Sequence, residues 1–156
     1  MTGTLHSVTL HETHGSSFLN HEKELALNAL REDSLFQPET DLPGPYDLDL
    51  KIQDGRLVMD IRTLDSTALP TLVLSIKPYT RLVRDYFMLI ESYETIRQTG
   101  NPDQLEAVDM GRRGLHDEGA TLLKERLSGK IDLDHATARR LFTLICVLHS
   151  QNFPVF

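Results

Sequence analysis

Tyr46-Asp47-Leu48-Asp49-Leu50-Lys51-Ile52-Gln53-Asp54-Gly55-Arg56-Leu57-Val58-Met59-Asp60-Ile61-Arg62 alternates apolar and polar residues on both sides of an Asp-Gly pair, and its reading decides the fold class. Tyr46, Leu48, Leu50 and Ile52 interleave with Asp47, Asp49, Lys51 and Gln53, the two-residue period of a strand with one buried face. Asp54-Gly55 suits a two-residue type I′ turn, in which both central residues take positive φ. Such a turn pairs Gln53 with Arg56 and sets Ile52 against Leu57, Leu50 against Met59 and Leu48 against Ile61, so every apolar pair falls on one face. The other face opposes Asp47 to Arg62 and Asp49 to Asp60, with Lys51 and Arg62 diagonal to the facing carboxylates. Two such carboxylates can share a proton or a cation, but the basic neighbours favour a solvated charge ladder.

Outward from this hairpin, residues 71–76 read as a third strand with Leu72, Leu74 and Ile76 inward, which completes an antiparallel meander. Ahead of it, residues 5–10 form a further short strand, with Val8 and Leu10 on one face and Ser7 and Thr9 on the other. A modest amphipathic helix, capped by Ser17 or Asn20, then runs to about Ser34 with Ala26, Ala29 and Leu30 on its stripe. Pro38, Pro43, Gly44 and Pro45 make the loop into the hairpin. Beyond the third strand the period becomes helical. Pro78 ends the strand, and Thr80 can cap a long helix with the stripe Leu82, Tyr86, Leu89, Ile90, Tyr93 and Ile96, stopped by Gly100. Asn101-Pro102-Asp103-Gln104 restarts a helix at once, with Asn101 as N-cap and Pro102 at the first helical position, so the two helices form a hairpin. Asp132 or Asp134 caps a last helix over residues 136–149, apolar enough to be buried, and Phe153-Pro154-Val155-Phe156 is an apolar tail. The expectation is an α+β fold forming one domain over residues 1–156. Residues 1–76 supply a small antiparallel β-meander of three to four strands and one helix, and residues 77–150 supply a helical hairpin and a buried C-terminal helix.

A chain of 156 residues is long enough for one core, since at this size roughly 70% of the unfolded surface is buried. The formal net charge of -7 disfavours a protein that holds nucleic acid through its overall field. Residues 1–76 carry 5 basic and 12 acidic residues, whereas residues 77–156 carry 11 of each, so an anion site is expected in the second half. The single cysteine, Cys146, lies in an apolar run and reads as a buried, inert thiol. No stretch approaches the ~20 apolar residues of a membrane span, and the polar start with His6, His11 and His14 is no signal peptide, so the expected compartment is the cytoplasm. His11-Glu12-Thr13-His14 lacks the i, i+4 histidine spacing of a zincin helix. Neither a metal nor a cofactor is expected.

Asp109-Met110-Gly111-Arg112-Arg113-Gly114-Leu115-His116-Asp117-Glu118-Gly119 concentrates charge, an imidazole and three glycines in the second arm of the helical hairpin. On an unbroken helix to Leu127, Val108, Gly111, Leu115, Gly119 and Leu122 share a stripe that lets another backbone approach, and an oligomer can form through this glycine-lined face. Asp109, Arg113 and Asp117 at i, i+4 and i+8 then make an ion-pair ladder, with Arg112 and His116 on the adjoining line. Three glycines cost roughly 1 kcal/mol each in a helix interior, so the alternative is a break between Gly111 and Gly114. Free N–H groups, Arg112, Arg113 and His116 would there converge as they do on a phosphate or carboxylate. Both readings stand on the sequence. Arg139 and Arg140, early in the last helix, and Arg81 and Arg84, early in the long one, extend the cluster towards a basic patch. Arginines at helix starts oppose the dipole, which calls for a partner.

The segments Gly44-Pro45-Tyr46, Arg56-Leu57-Val58-Met59-Asp60-Ile61-Arg62, Lys77-Pro78-Tyr79, Arg84-Asp85-Tyr86-Phe87, Glu91-Ser92-Tyr93, Ala107-Val108-Asp109-Met110-Gly111-Arg112-Arg113-Gly114-Leu115-His116 and Thr137-Ala138-Arg139-Arg140-Leu141-Phe142-Thr143-Leu144 resemble those of a small alphaproteobacterial uncharacterised protein family, UPF family 0262. The resemblance runs from about Leu5 to His149, and where that family carries asparagine after the histidine this chain has Asp117. It implies a bacterial cytoplasmic protein and supplies no mechanism.

Two functions from different classes follow. The first is a non-catalytic binding or regulatory module in which Asp109, Arg112, Arg113, His116, Asp117, Arg139 and Arg140 hold an anionic small molecule or an acidic protein segment. The second is a small enzyme on a phosphorylated or carboxylate substrate. Arg112 and Arg113 would clamp that substrate, and His116, oriented by Asp109 or Glu118, would act as acid or base. No serine or cysteine nucleophile stands beside His116 in a recognisable motif.

Overall fold

The computed structural model describes residues 3–12 and 19–150. In chain order the elements are β1 (Leu5–Leu10), α1 (Asn20–Glu32), β2 (Phe36–Pro38), β3 (Tyr46–Gln53), β4 (Arg56–Thr63), β5 (Leu72–Ser75), a 3-10 turn (Lys77–Tyr79), α2 (Thr80–Thr99), α3 (Pro102–Arg126), β6 (Ile131–Leu133) and α4 (His135–Ser150). The class is α+β.

The hairpin forms in the register its sequence dictates, from Gln53 opposite Arg56 to Tyr46 opposite Thr63. Asp54 and Gly55 take φ of 54° and 72°, as the tight turn requires. β5 continues the meander with Leu74 opposite Leu57. The fourth strand departs from the antiparallel expectation: β1 pairs with β3 in parallel, so the sheet is mixed and runs β1-β3-β4-β5. A parallel neighbour needs a long return connection, and α1 with the following segment provides it. This placement also replaces the expected charge ladder. Asp47 accepts from Ser7 Oγ at 2.7 Å and meets His6 Nδ1 at 2.9 Å, Asp60 accepts from Thr71 Oγ1 at 2.7 Å, and Asp49 lies 3.8 Å from His11 Nε2. Each facing carboxylate has its own neighbour. β2 and β6 make a separate antiparallel pair where the sequence reads as loop, because each is only three residues long, too short to show a period.

Helix starts divide between expectation and correction. Asn101 Oδ1 accepts from the N–H groups of Asp103 and Gln104 at 3.1 and 3.3 Å, after Gly100 at φ 74°. Asp134 caps α4 through Thr137 N–H at 2.8 Å. For α2 the N-cap is Tyr79 rather than Thr80, since the 3-10 turn runs straight into the helix. For α1 it is Leu19, with Asn20 the first helical residue, and Ser17 lies outside the described residues.

One apolar cluster joins the inner face of the sheet (Leu48, Leu50, Leu57, Met59, Ile61) to α1, α2, α3 and α4. α4 is its centrepiece, with every residue from Leu141 to His149 buried. Cys146 is among them, and burial pushes its thiol pKa well up. By contrast no residue between Phe87 and His116 is buried, so the outer parts of α2 and α3 stand away from the core. No helix among the described residues is long and apolar enough to cross a membrane.

Candidate functional site

α3 is unbroken through Gly111, Gly114 and Gly119, which overturns the alternative of a helix terminus opening there. Two of the three glycines are absorbed by packing. A Cβ on Gly119 would lie inside the contact distance of the Phe142 ring on α4, and one on Gly111 would meet Leu89 Cδ1 of α2 at 3.3 Å, whereas Gly114 faces open space. The face that could receive another copy's backbone is therefore filled, at two of its positions, from within the chain.

His116 lands on the core side of α3, only 8% exposed, edge-on to Tyr86 and Phe142 with ring centroids 5.1 and 6.0 Å away. Its Nδ1 sits 3.1 Å from the Arg112 carbonyl and its Nε2 3.0 Å from Thr143 Oγ1. A carbonyl only accepts, so Nδ1 carries the proton, and Nε2 accepts from the threonine hydroxyl. Burial, reinforced by the nearby charges of Arg112 and Arg139, lowers the imidazole pKa from 6.5 to about 4, and at neutral pH the ring is uncharged. Neither Asp109 nor Glu118 orients it, because Asp109 holds Arg113 and Glu118 holds Arg81.

The ion-pair ladder also re-forms with different partners. Arg113 bonds Asp109 through Nε at 3.0 Å, but Asp117 turns away from it to His135 Nε2 at 3.1 Å and Arg139 Nη1 at 3.4 Å. The His135 bond, and then the Arg139 charge, hold the Asp117 carboxyl below its usual pKa. Arg112 reaches across to Glu22 of α1 at 2.6 Å, a half-buried pair that ties α3 to α1. Arg81 also bonds Asp85 at 3.2 Å, so with Glu118 it belongs to an exposed network between α2 and α3.

Three of the expected residues do come together. His116, Arg139 and Arg140 line one cleft of about 260 Å³ between α3 and α4, with Ala136 and Thr143. Arg140 Nη1 donates to the Asp33 carbonyl at 3.3 Å, and Arg139 shares Asp117 with His135. Asp109 and Arg113 lie outside this cleft, and Arg112 enters it only through its carbonyl bond to His116. The reading of the sequence missed Thr143 and His135. Thr143 stands one helical turn after Arg139 on α4, a spacing that places both on one face; His135 carries no comparable signal. No group of three or more histidine, cysteine or carboxylate side chains suited to a metal occurs among the described residues. Glu12 bonds Lys23 at 3.0 Å, and His14 lies outside the described residues.

Residues 3–151 match the model of an uncharacterised protein family, UPF0262. The chain belongs to that family. It is 52% identical over 131 residues to the UPF0262 protein of Paramagnetospirillum magneticum, covering 84% of this chain and 83% of that one. The UPF0262 protein of Rhizobium meliloti is 49% identical over 144 residues, 91% of each chain, and that of Rhodopseudomonas palustris strain BisA53 is 50% identical over 131 residues, 84% and 80%. No solved structure matches significantly. The cleft of this UPF0262 member thus has to be interpreted from its own chemistry.

Proposed function

We propose that the protein is a non-catalytic binding or regulatory module that holds an anionic group in the α3–α4 cleft. The observation that carries this reading is the convergence of Arg139 and Arg140 on one cavity above the His116–Thr143 hydrogen bond. Guanidinium groups are matched in shape and charge to carboxylates and phosphates. At about 260 Å³ the cleft is smaller than the roughly 300 to 1,000 Å³ of small-molecule pockets. It suits the charged end of a ligand or the side chain of an acidic protein segment, with the remainder outside. Asp117 is the built-in competitor: it occupies Arg139 now and has to yield as the anion enters. A cytoplasmic setting fits a chain whose one cysteine is a buried free thiol.

The enzyme reading keeps one supporting observation, the 3.0 Å contact of His116 Nε2 with the Thr143 hydroxyl, which is the arrangement of a base beside a nucleophile. Its weakness is chemical, since an imidazole titrating near 4 is a poor base at neutral pH. Calorimetric titration with inorganic phosphate, succinate and an acidic peptide tests the module reading. Binding by at least one of them, lost in Arg139→Ala/Arg140→Ala and retained in His116→Gln, is the expected result. Binding that survives the double arginine substitution, or no binding at all, refutes it, and turnover of a bound ester abolished by Thr143→Val would transfer the assignment to the enzyme.

A further inference from the structure

The end of the β3–β4 hairpin forms a second cleft, of about 500 Å³, on a different part of the molecule. Its first wall is the type I′ turn with Arg56, its second is the segment from Ser75 to Thr80 that leads from β5 into α2, and the buried His149 of α4 lines it as well. Ile76 N–H donates to the Gly55 carbonyl at 3.1 Å and fixes the two walls side by side. Ile52 and Ile76 are each only partly buried against the core, and both line this cleft, so apolar surface continuous with the core is open to it. On the rim stand Arg56 and Lys77, exposed and without an ion pair among the described residues, against one carboxylate, Asp54.

We infer that this cleft binds a small amphiphilic carboxylate, with its hydrocarbon body on Ile52 and Ile76 and its carboxylate between Arg56 and Lys77. Size separates it from the α3–α4 cleft, since about 500 Å³ lies within the range of pockets that enclose a small organic ligand and are mainly apolar with a few placed polar groups. Charge sets the polarity of the ligand. Two exposed cations beside the apolar surface of Ile52 and Ile76 favour an anion carried on a hydrocarbon over a bare anion, which has nothing to gain from that surface, and over a neutral chain, which leaves the cations unused.

The test uses the full chain, 15N-labelled, titrated with hexanoate, acetate and 1-hexanol at neutral pH. Hexanoate is expected to move the amide signals of Gly55, Ile76 and Lys77, with acetate and 1-hexanol each binding at least fivefold more weakly. Arg56→Gln/Lys77→Gln is expected to weaken hexanoate at least fivefold. Both side chains are exposed, and an otherwise unchanged spectrum shows that the variant is folded. Absent or unlocalised shifts, acetate or hexanol binding within fivefold of hexanoate, or a smaller loss in the double variant overturns the inference. Arg139→Ala/Arg140→Ala leaves this binding intact, so the outcome is independent of the α3–α4 cleft.

Discussion

Replacing His116 by glutamine removes a titration that the fold suppresses, and the consequence for stability can be worked out. In the unfolded chain the imidazole titrates near 6.5, whereas in the fold burial and the Arg112 and Arg139 charges hold it near 4. Between those values the unfolded chain binds a proton that the native protein refuses, so stability falls as pH falls through that window and is unaffected by His116 above it. At 1.36 kcal/mol per pH unit the full effect is about 3 kcal/mol, of which about 2 kcal/mol has appeared by about pH 5. Glutamine retains hydrogen-bonding capacity towards the Arg112 carbonyl and Thr143 but does not titrate. Urea unfolding of wild type and His116→Gln from pH 7.5 to 4.5 reads the difference. His149, whose pKa burial also lowers, destabilises both proteins alike and cancels in the comparison. The wild type should lose about 2 kcal/mol more than the variant between neutrality and about pH 5. Parallel pH profiles would refute both the burial argument and the assignment of His116 as a neutral residue.

Three further outcomes follow from contacts already described. Gly119→Ala drives a methyl into the Phe142 ring and should destabilise by about 1 to 3 kcal/mol as overpacking does; an unchanged urea midpoint contradicts the α3–α4 approach. Asn101→Ala removes the acceptor of two N–H groups and should lower the helical signal and cost about 1 kcal/mol, with circular dichroism during thermal unfolding as the measurement. Asp117→Asn frees Arg139 of its carboxylate neighbour and should tighten phosphate binding several-fold by calorimetry, and weaker binding would show that Asp117 assists the anion rather than competes with it.

The sheet and the helical hairpin were legible because their signals are local. Alternation around Asp54-Gly55 fixes a register with no knowledge of the rest of the chain, and Gly100-Asn101-Pro102 marks one helix end and the next start within three residues. What escaped depends on contacts distant in sequence. Nothing within residues 5–10 says whether β1 runs parallel or antiparallel to β3, since the pattern of one strand is the same in both. The continuity of α3 was undecidable from its own residues, because the cost of the glycines is local while its compensation, a close approach to Leu89 and Phe142, comes from two other helices. The Asp109–Arg113 rung of the charge ladder formed, but its Asp117 rung was misassigned for the same reason. Spacing offered Asp117 to Arg113, but His135 and Arg139, 18 and 22 residues further on, stand nearer to it in space, and Glu22 reaches Arg112 from α1. Cys146 and the caps Asn101 and Asp134 were read correctly because burial of an apolar run and local N–H satisfaction need no tertiary knowledge, whereas Thr80 and Asn20 were displaced by the turns that lead into α2 and α1.

The uncut length of α3 joins the α3–α4 cleft to a segment outside the core. At 1.5 Å per residue, its 25 residues make a rod of about 38 Å, of which the first 14, from Pro102 to Leu115, contain no buried residue and project roughly 20 Å past the point where burial resumes at His116. The Arg112–Glu22 pair ties the rod to α1 near that point. The wall of the α3–α4 cleft and the segment outside the core are therefore parts of one continuous helix, and α2 packs along the outer part through Leu89 at Gly111.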